Sequence, residues 1–261
     1  MLEIEITRID VPSGKADKMS DYVAEEKPLC IFLNKIQYAT IFCSPSNLKE
    51  MTVGHLLSEG IIKSVQEIDE VSLRANETVC RVKLKSNVNI EKRQTFSKML
   101  YRVIGSACGS SLSYQFSGKL PRVESRLKVE AKTISDCVNR LNFNAETFKK
   151  TGGVHVAAIY NSTGKVEAFA EDVGRHNAVD KAVGIGALKG TDFSTSFLAL
   201  SGRMTGDMVL KAARVGLPIV ASLAAAIDSG VVVAKEAGIT LIGFVRGNRM
   251  NIYSFPERIA V

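Results

Sequence analysis

The chain has 261 residues, of which 46% are hydrophobic and 23% are charged. These values are ordinary for a globular protein that is large enough to bury a core of its own. No apolar run approaches the roughly 18 residues that a membrane-spanning helix needs, and the first residues have no signal-peptide pattern. The composition therefore argues against a membrane protein and predicts a cytoplasmic one.

The net charge of +7 is concentrated between Lys85 and Lys132, where ten basic residues face three acidic ones. A solvated basic face is the usual structural interpretation of such a run. The functional interpretation is a surface that meets phosphate, nucleic acid or an acidic protein. Few aromatic residues and no nucleic-acid-binding motif accompany the run, so nucleic acid is not the predicted partner. A basic nucleic-acid-binding module stays an alternative.

The five cysteines contain no Cys-x-x-Cys unit, which argues against a disulfide framework and against a zinc site. Four of them lie in apolar or helical surroundings and are predicted to be buried and unreactive: Cys30, Cys43, Cys80 and Cys137. Cys108 differs, because it lies in a run of small residues from Gly105 to Ser111 that cannot build a core. The sequence predicts a mobile surface loop there, beside basic residues that favour a thiolate.

Residues 1–85 are predicted to form a small α+β domain. Two apolar runs with a tight Asn34-Lys35 connection indicate a hairpin, and Ser44-Pro45 and Gly60 indicate the two ends of a helix. The runs are 29–34 and 36–42, and a further strand pair is predicted at 71–73 and 79–84. Residues 86–132 are predicted to be a basic segment that carries the cysteine loop.

Residues 133–261 are predicted to form an α/β domain. Strands are predicted at 154–160, 166–170, 197–200, 219–222, 240–245 and 250–254, with three helices between them. This alternation predicts a largely parallel sheet that is covered on both faces.

Three junctions in this domain are polar and glycine-rich: residues 171–177, 201–207 and 246–249. Ligands bind at the carboxyl ends of parallel strands, where helix N-termini also lie. Arginine forks in these junctions match phosphate oxygens, which predicts a phosphate-bearing ligand. Ordinary helix capping by Asp172 and Asp207 is the structural alternative.

The histidines leave two roles open. His176 lies at a predicted helix start, where catalysis by proton transfer and a structural hydrogen bond are equally acceptable roles. His155 begins a predicted strand and is expected on the wall of the same cleft, whereas His55 is expected to serve packing.

The order of elements is similar to that of the zinc-dependent nucleobase deaminases. Those enzymes carry His-x-Glu on one helix and Pro-Cys-x-x-Cys at the next. The matching stretches here read His176-Asn177-Ala178 and Leu200-Ser201-Gly202-Arg203, so the acid and both thiolates are missing. We therefore expect no zinc.

Several motifs resemble the FdhD family of formate dehydrogenase accessory sulfurtransferases. The run from Glu171 to Lys181, which reads EDVGRHNAVDK, is the most specific of them. The others are residues 48–62, 151–155, 201–203 and 243–247. The resemblance covers about residues 28–254 and implies a cytidine-deaminase-like three-layer α/β fold with a smaller N-terminal α+β domain, commonly as a homodimer.

The resemblance implies a sulfur carrier that takes sulfur from a cysteine desulfurase as a persulfide on Cys108. The sulfur would pass to the molybdenum bis-guanine-dinucleotide cofactor of formate dehydrogenase, for which GDP is an analogue. Family members carry Cys-Gly-x-Cys-Gly at this loop, whereas Ser111 stands here at the second cysteine. The alternative is a metal-free, deaminase-like nucleotide-binding protein.

The resemblance also implies cofactor binding on the stretch that ends in the third polar junction. The predicted binding residues are Phe244, Val245, Arg246, Gly247, Asn248 and Arg249, joined by Arg203, His155 and His176.

Overall fold

The computed structural model describes residues 1–73, 78–89, 93 and 120–261. No helix in these ranges is long and apolar enough to cross a membrane. The chain begins with a two-stranded hairpin of β1 (Leu2–Asp10) and β2 (Lys15–Val23). Both strands are largely exposed and, among the strands of the described residues, pair with each other alone. This hairpin was not predicted from the sequence.

A four-stranded sheet and one helix follow, in the strand order β4-β3-β6-β5. The elements are β3 (Lys27–Leu33), β4 (Ile36–Cys43), α1 (Leu48–Ser58), β5 (Ile68–Leu73) and β6 (Val79–Leu84). Both predicted strand pairs are confirmed.

The predicted helix start at Pro45 is wrong, because α1 begins at Leu48 after Asn47, whose φ is 53°. The preceding residues are engaged elsewhere. Ser44 donates its main-chain N–H to Asp172 and its main-chain oxygen accepts a hydrogen bond from Lys181. This segment therefore joins the first part of the chain to the rest.

The main sheet has six strands in the order β13-β12-β11-β10-β8-β9. Their bounds are β8 (His155–Asn161), β9 (Val166–Asp172), β10 (Ser196–Leu200), β11 (Ile219–Ser222), β12 (Thr240–Arg246) and β13 (Arg249–Ser254). In this sheet the β10–β11 and β11–β12 pairs are parallel and the other three pairs are antiparallel, so the prediction of a largely parallel sheet was too broad. The β8–β9 and β12–β13 connections are too short for a crossover and force antiparallel pairing.

Helices cover both faces of this sheet, which confirms the three-layer α/β fold. One face of the sheet carries α4 (Arg175–Lys189), α5 (Gly206–Val215) and α6 (Asp228–Ala237). The other face carries α2 (Ala131–Asn139) and the short α3 (Glu146–Thr151), whose Phe148 packs against the same core cluster as α2. Two short strands, β7 (Val129–Glu130) and β14 (Ile259–Ala260), pair with each other.

The first of two core clusters is shared between the N-terminal sheet and the main sheet. It joins Leu29 and Leu56 to Val179 of α4 and Val209 of α5, all fully buried. Such a common core ties the two parts together through apolar burial. The predicted domain bounds at residues 85 and 133 stay a prediction.

Helices α1 and α4 cross at two glycines. A Cβ atom at Gly54 would overlap the main-chain oxygen of Asp180, and one at Gly184 would overlap the main-chain oxygen of Glu50. The crossing therefore depends on the absence of side chains at both positions, which brings the two backbones into direct contact.

Candidate functional site

The topology places all three polar junctions at one edge of the main sheet. Strands β9 to β12 point the same way and end there, whereas β8 and β13 run in the opposite direction and begin there. His155, the first residue of β8, therefore lies opposite Asp172, the last residue of β9.

The loop after β10 is fastened to the start of β8. Ser201 donates its main-chain N–H to the oxygen of Val156 at 3.0 Å, and Val156 donates its own N–H to Ser201 Oγ at 2.9 Å. Ser201 Oγ also lies 3.4 Å from His155 Nδ1. The second junction and His155 thus share one hydrogen-bonded corner.

Gly202 lets the first junction approach this corner. A Cβ atom at Gly202 would lie 3.1 Å from Cβ of Arg175 and 3.6 Å from His155 Nδ1, closer to Arg175 than side chains normally pack. The glycine at position 202 therefore allows close contact between the loop after β10 and Arg175, the first residue of α4.

The first turns of α4 and α5 are joined by an imidazole–carboxylate contact. His176 Nε2 lies 2.7 Å from Asp207 Oδ2, and both side chains are about one-quarter exposed or less. Burial alone would raise the pKa of Asp207, but the hydrogen bond and charge of His176 hold it well below its usual range. Asp207 is therefore an ionised partner of His176.

Positive charge gathers around His155. Burial lowers the pKa of His155 below its ordinary value, and Arg175, His176 and Arg203 lower it further, against the opposing effect of Asp172. Arg203 is exposed, so its guanidinium is accessible to a ligand. Four cationic or potentially cationic side chains within one electrostatic neighbourhood form a candidate anion site.

Asp172 anchors the loop that leads into α4, the helix that begins with Arg175 and His176. Its carboxylate pairs with Lys181 Nζ at 2.6 Å and accepts hydrogen bonds from the main-chain N–H groups of Ser44 and Gly174 and from Asn177 Nδ2. The Asp172 carboxylate is therefore fully engaged, and its role is structural.

The third junction lies beside the end of β11. Arg246 Nε donates to the oxygen of Leu223 at 3.1 Å, and its guanidinium lies 5.5 Å from the centre of the Phe244 ring. Phe244 has a φ of 51°, which is strained for a bulky residue, at an irregularity in the β12–β13 register. Asn248 and Arg249 are exposed.

Two other residues of this junction contribute through the backbone. The Val245 side chain is fully buried in the second core cluster, so only its main chain is available to a ligand. The Gly247 oxygen accepts hydrogen bonds from Ser135 Oγ and Asn139 Nδ2 of α2, which hold the tip of the β12–β13 hairpin.

The model of the FdhD/NarQ family matches residues 24–260, nearly the whole chain. The chain belongs to the FdhD/NarQ family. It is 37% identical over 263 residues to a protein named sulfur carrier protein FdhD from Methanothermobacter thermautotrophicus, with 98% of each chain covered. A protein of the same name from Sulfolobus acidocaldarius is 35% identical over 250 residues, with 95% of each chain covered.

Solved structures agree with this family assignment. A crystal structure described as a formate dehydrogenase accessory protein, from Desulfotalea psychrophila, matches with a TM-score of 0.78 and 28% sequence identity over 99% of each chain. This match covers more of the chain than the family model, which begins at residue 24.

Four cysteines of this FdhD/NarQ protein lie in the described residues, whereas Cys108, Ser111 and the predicted mobile loop lie outside them. Burial raises the pKa of Cys43 to about 12 and that of Cys137 to about 11, and it also raises the pKa of Cys80. The predicted burial of these three is confirmed.

The predicted burial of Cys30 is wrong. Its side chain is partly exposed, with Sγ 3.6 Å from Thr40 Oγ1 of the neighbouring strand. The alternation of β3 explains the difference, because Leu29, Ile31 and Leu33 face the core and Cys30 lies on the opposite face.

No group of three or more His, Cys, Asp or Glu residues in the described part of the chain is arranged to hold a metal ion. His176, at the position that matches the deaminase ligand, is instead bonded to Asp207. The expectation of a zinc-free protein stays a prediction.

His55 belongs to a buried polar network rather than to apolar packing alone. His55 Nδ1 lies 3.0 Å from Asp180, which also accepts hydrogen bonds from Ser58 and from Lys211 Nζ. Lys211 Nζ contacts Glu59 at 2.6 Å as well. The network links α1 to α4 and α5 and is separate from the candidate site.

Sequence reasoning named the three junctions but not Ser201 or Arg175 as individual site residues. Their signal was present, since Ser201 directly follows a buried strand and Arg175 is the first residue of α4 in the first polar junction. Their pairing with His155 depends on the antiparallel direction of β8, which the sequence did not reveal.

Proposed function

We propose that this FdhD/NarQ family protein is a sulfurtransferase that carries sulfur as a persulfide on Cys108. The donor is a cysteine desulfurase, and the acceptor is the molybdenum bis-guanine-dinucleotide cofactor of a formate dehydrogenase. The observation that carries the proposal is the near-complete match, over 98% of the chain, to a protein named sulfur carrier protein FdhD. We further propose that the protein acts as a homodimer in the cytoplasm.

The loading step needs only one thiol of this chain. The thiolate of Cys108 attacks the outer sulfur of the donor's persulfide, a sulfur–sulfur bond forms as another breaks, and the donor leaves as a thiolate. In the second transfer the Cys108 thiolate is regenerated and the sulfur atom takes two electrons from a reduced molybdenum centre. Ser111 in place of a second cysteine is compatible with this sequence of steps.

The described cysteines support the choice of Cys108 by their surroundings. Cys43, Cys80 and Cys137 are buried thiols whose raised pKa values disfavour the nucleophilic thiolate. Cys30 is the partly exposed cysteine of the described residues and therefore serves as the internal control for sulfur loading on Cys108.

The test is mass spectrometry after anaerobic incubation with a cysteine desulfurase and cysteine. We expect one additional sulfur atom on the peptide that contains Cys108, its loss in Cys108→Ala, and its retention in Cys30→Ser. Sulfur found on Cys30, or on no cysteine of the wild type, would contradict the proposal.

The same edge of the sheet supports binding of the cofactor's phosphates. Arg203, His155 and His176 surround the corner of the first two junctions, where α4 and α5 begin. Helix N-termini and guanidinium groups both favour phosphate oxygens. We propose that they hold the cofactor together with Phe244, Val245, Arg246, Gly247, Asn248 and Arg249.

A metal-free nucleotide-binding protein of deaminase-like fold is the second candidate. It is favoured by one observation, that the cationic cluster around His155 is built entirely from residues remote in sequence from Cys108. Nucleotide binding without any sulfuration of Cys108 would select this second function.

A further inference from the structure

Ser201 and His155 form a contact whose proton arrangement can be worked out. Ser201 Oγ already accepts the main-chain N–H of Val156 at 2.9 Å and lies 3.4 Å from His155 Nδ1. If His155 donated from Nδ1, the hydroxyl would accept twice and its own hydrogen would have no acceptor among the described residues. If Ser201 donates to Nδ1, its hydroxyl hydrogen has an acceptor, and the hydrogen without a protein partner is the one on Nε2 of the ring.

The second arrangement is favoured because the hydrogen without a protein partner then lies on Nε2, which is not among the buried unpartnered side-chain atoms, and not inside the partly buried contact, where an unused donor is costly. It leaves the proton of a neutral His155 on Nε2. Within the described residues, Nδ1 is the ring atom of His155 that makes a hydrogen bond to the protein. Nε2 is thus left for a ligand.

The charges around the ring favour its neutral form. Arg175 and His176 at the start of α4 and Arg203 after β10 oppose a further positive charge, and together with burial they lower the pKa of His155. Asp172 on β9 is the nearby anion, but its carboxylate is already paired with Lys181. Asp207 on α5 is likewise engaged by His176.

We infer that Ser201 is a positioning residue that holds His155 as its neutral Nε2–H tautomer, so that the imidazole offers the cleft a hydrogen-bond donor and not a base. The inference rests on the proposed function for the identity of the anion that receives this bond. Arg175 and Arg203 supply positive charge, and His155 donates an uncharged hydrogen bond from Nε2 to one oxygen of a phosphate group.

The test is a two-bond ¹H–¹⁵N correlation spectrum of the histidine rings at neutral pH. The chain has only three histidines, which single His→Gln variants assign. His55 faces Asp180 through Nδ1 and His176 faces Asp207 through Nε2, so both serve as references for a protonated nitrogen. We expect His155 to be neutral, with Nε2 protonated. A protonated Nδ1, or a cationic ring, would overturn the inference.

Substitutions at Ser201 separate positioning from mere structure. Ser201→Ala should let the Nδ1–H tautomer of His155 appear, whereas Ser201→Thr should retain the wild-type spectrum. GDP binding by calorimetry should weaken about two- to tenfold in Ser201→Ala, as for one lost neutral hydrogen bond, and stay unchanged in Ser201→Thr. Equal spectra for the alanine and threonine variants would overturn the role of Ser201. Failure of the wild type to bind GDP would instead refute the proposed cofactor site, and the spectrum would still decide the state of His155.

Discussion

Lys181 Nζ lies 2.6 Å from Asp172 Oδ2, and neither side chain is accessible to solvent. The pair lies between the segment after β4 and the loop before α4, because Lys181 also donates to the oxygen of Ser44 at 2.8 Å. Two ions in a dry interior hold their geometry only when both are present. The loop before α4, and with it the position of His176 in the first turn, therefore depends on a lysine five residues after His176.

Lys181→Met should destabilise the protein by about 3–5 kcal/mol, since it leaves the Asp172 carboxylate buried without its counter-ion. Denaturant unfolding followed by circular dichroism measures this change. The matched control is Lys18→Met, whose partner Glu5 and own side chain are mostly exposed, at 71% and 77%. We expect the control to change the free energy of unfolding by no more than about 0.5 kcal/mol. Similar losses in both variants would contradict the special role of the buried pair.

Gly54→Ala should cost more than about 3 kcal/mol, because the added Cβ atom overlaps the backbone of α4 and neither backbone can move without disturbing the core. Gly190→Ala is the control, since Gly190 has a φ of 80° but open space around its missing side chain. That variant carries only the conformational penalty, about 1–2 kcal/mol. Thermal and denaturant unfolding of the two variants compare them, and an equal cost would show that α1 can shift away from α4.

Acid should remove stability that the Asp180 network supplies. Burial alone would raise the pKa of both Glu59 and Asp180, but Lys211 and His55 outweigh it, lowering the pKa of Glu59 to about 2 and that of Asp180 below its usual range. A carboxyl group whose pKa is depressed on folding stabilises the protein above its unfolded pKa of about 4. This stability is lost as the pH falls from about 5 through the folded pKa values.

The free energy of unfolding, measured from pH 7 down to pH 3, should therefore fall with decreasing pH. Glu59→Gln should have lower stability at pH 7 and a shallower dependence on pH, because one of the depressed carboxyl groups is gone. A slope in Glu59→Gln as steep as in the wild type would remove Glu59 from the explanation.

Arg249→Ala should weaken GDP binding by about 1.5–3 kcal/mol, or roughly ten- to a hundredfold, as expected for a lost charge-assisted bond to phosphate. Arg249 is exposed at the same sheet edge as Arg203, so removing it should not disturb the core. Calorimetry compares it with Arg8→Ala, a control arginine on the exposed N-terminal hairpin. Equal affinity in the two variants would place the nucleotide away from the third junction.

Local patterns were sufficient to predict most strands and the three-layer fold. The continuous apolar run of β10 and the polar residues that follow it are typical of a strand buried on both faces that ends at a site. The N-terminal hairpin was missed although Leu2, Ile4 and Ile6 of β1 alternate with polar residues as in a strand, because the polar β2 offers no matching apolar pattern. The start of α1 was misplaced because Ser44 bonds to Asp172, 128 residues away.

The candidate site was predictable as a set of junctions but not as a set of contacts. Ser201 and His155 are 46 residues apart, and His55 and Asp180 are 125 apart. No local periodicity encodes such pairs, since they depend on which strands are neighbours and in which direction each runs. The antiparallel insertion of β8 decides whether His155 lies at the ligand edge or at the opposite one.

The position of β8 between β9 and β10 also provides a site for attaching a label. The turn between β8 and β9 spans Asn161 to Lys165 and lies at the far edge of the sheet, one strand length from His155. Asn161 Oδ1 closes it by accepting the N–H groups of Thr163 and Lys165, while Ser162 faces solvent. A fluorophore or surface tether attached at Ser162 would therefore report on encounters with partner proteins while leaving the opposite edge unobstructed.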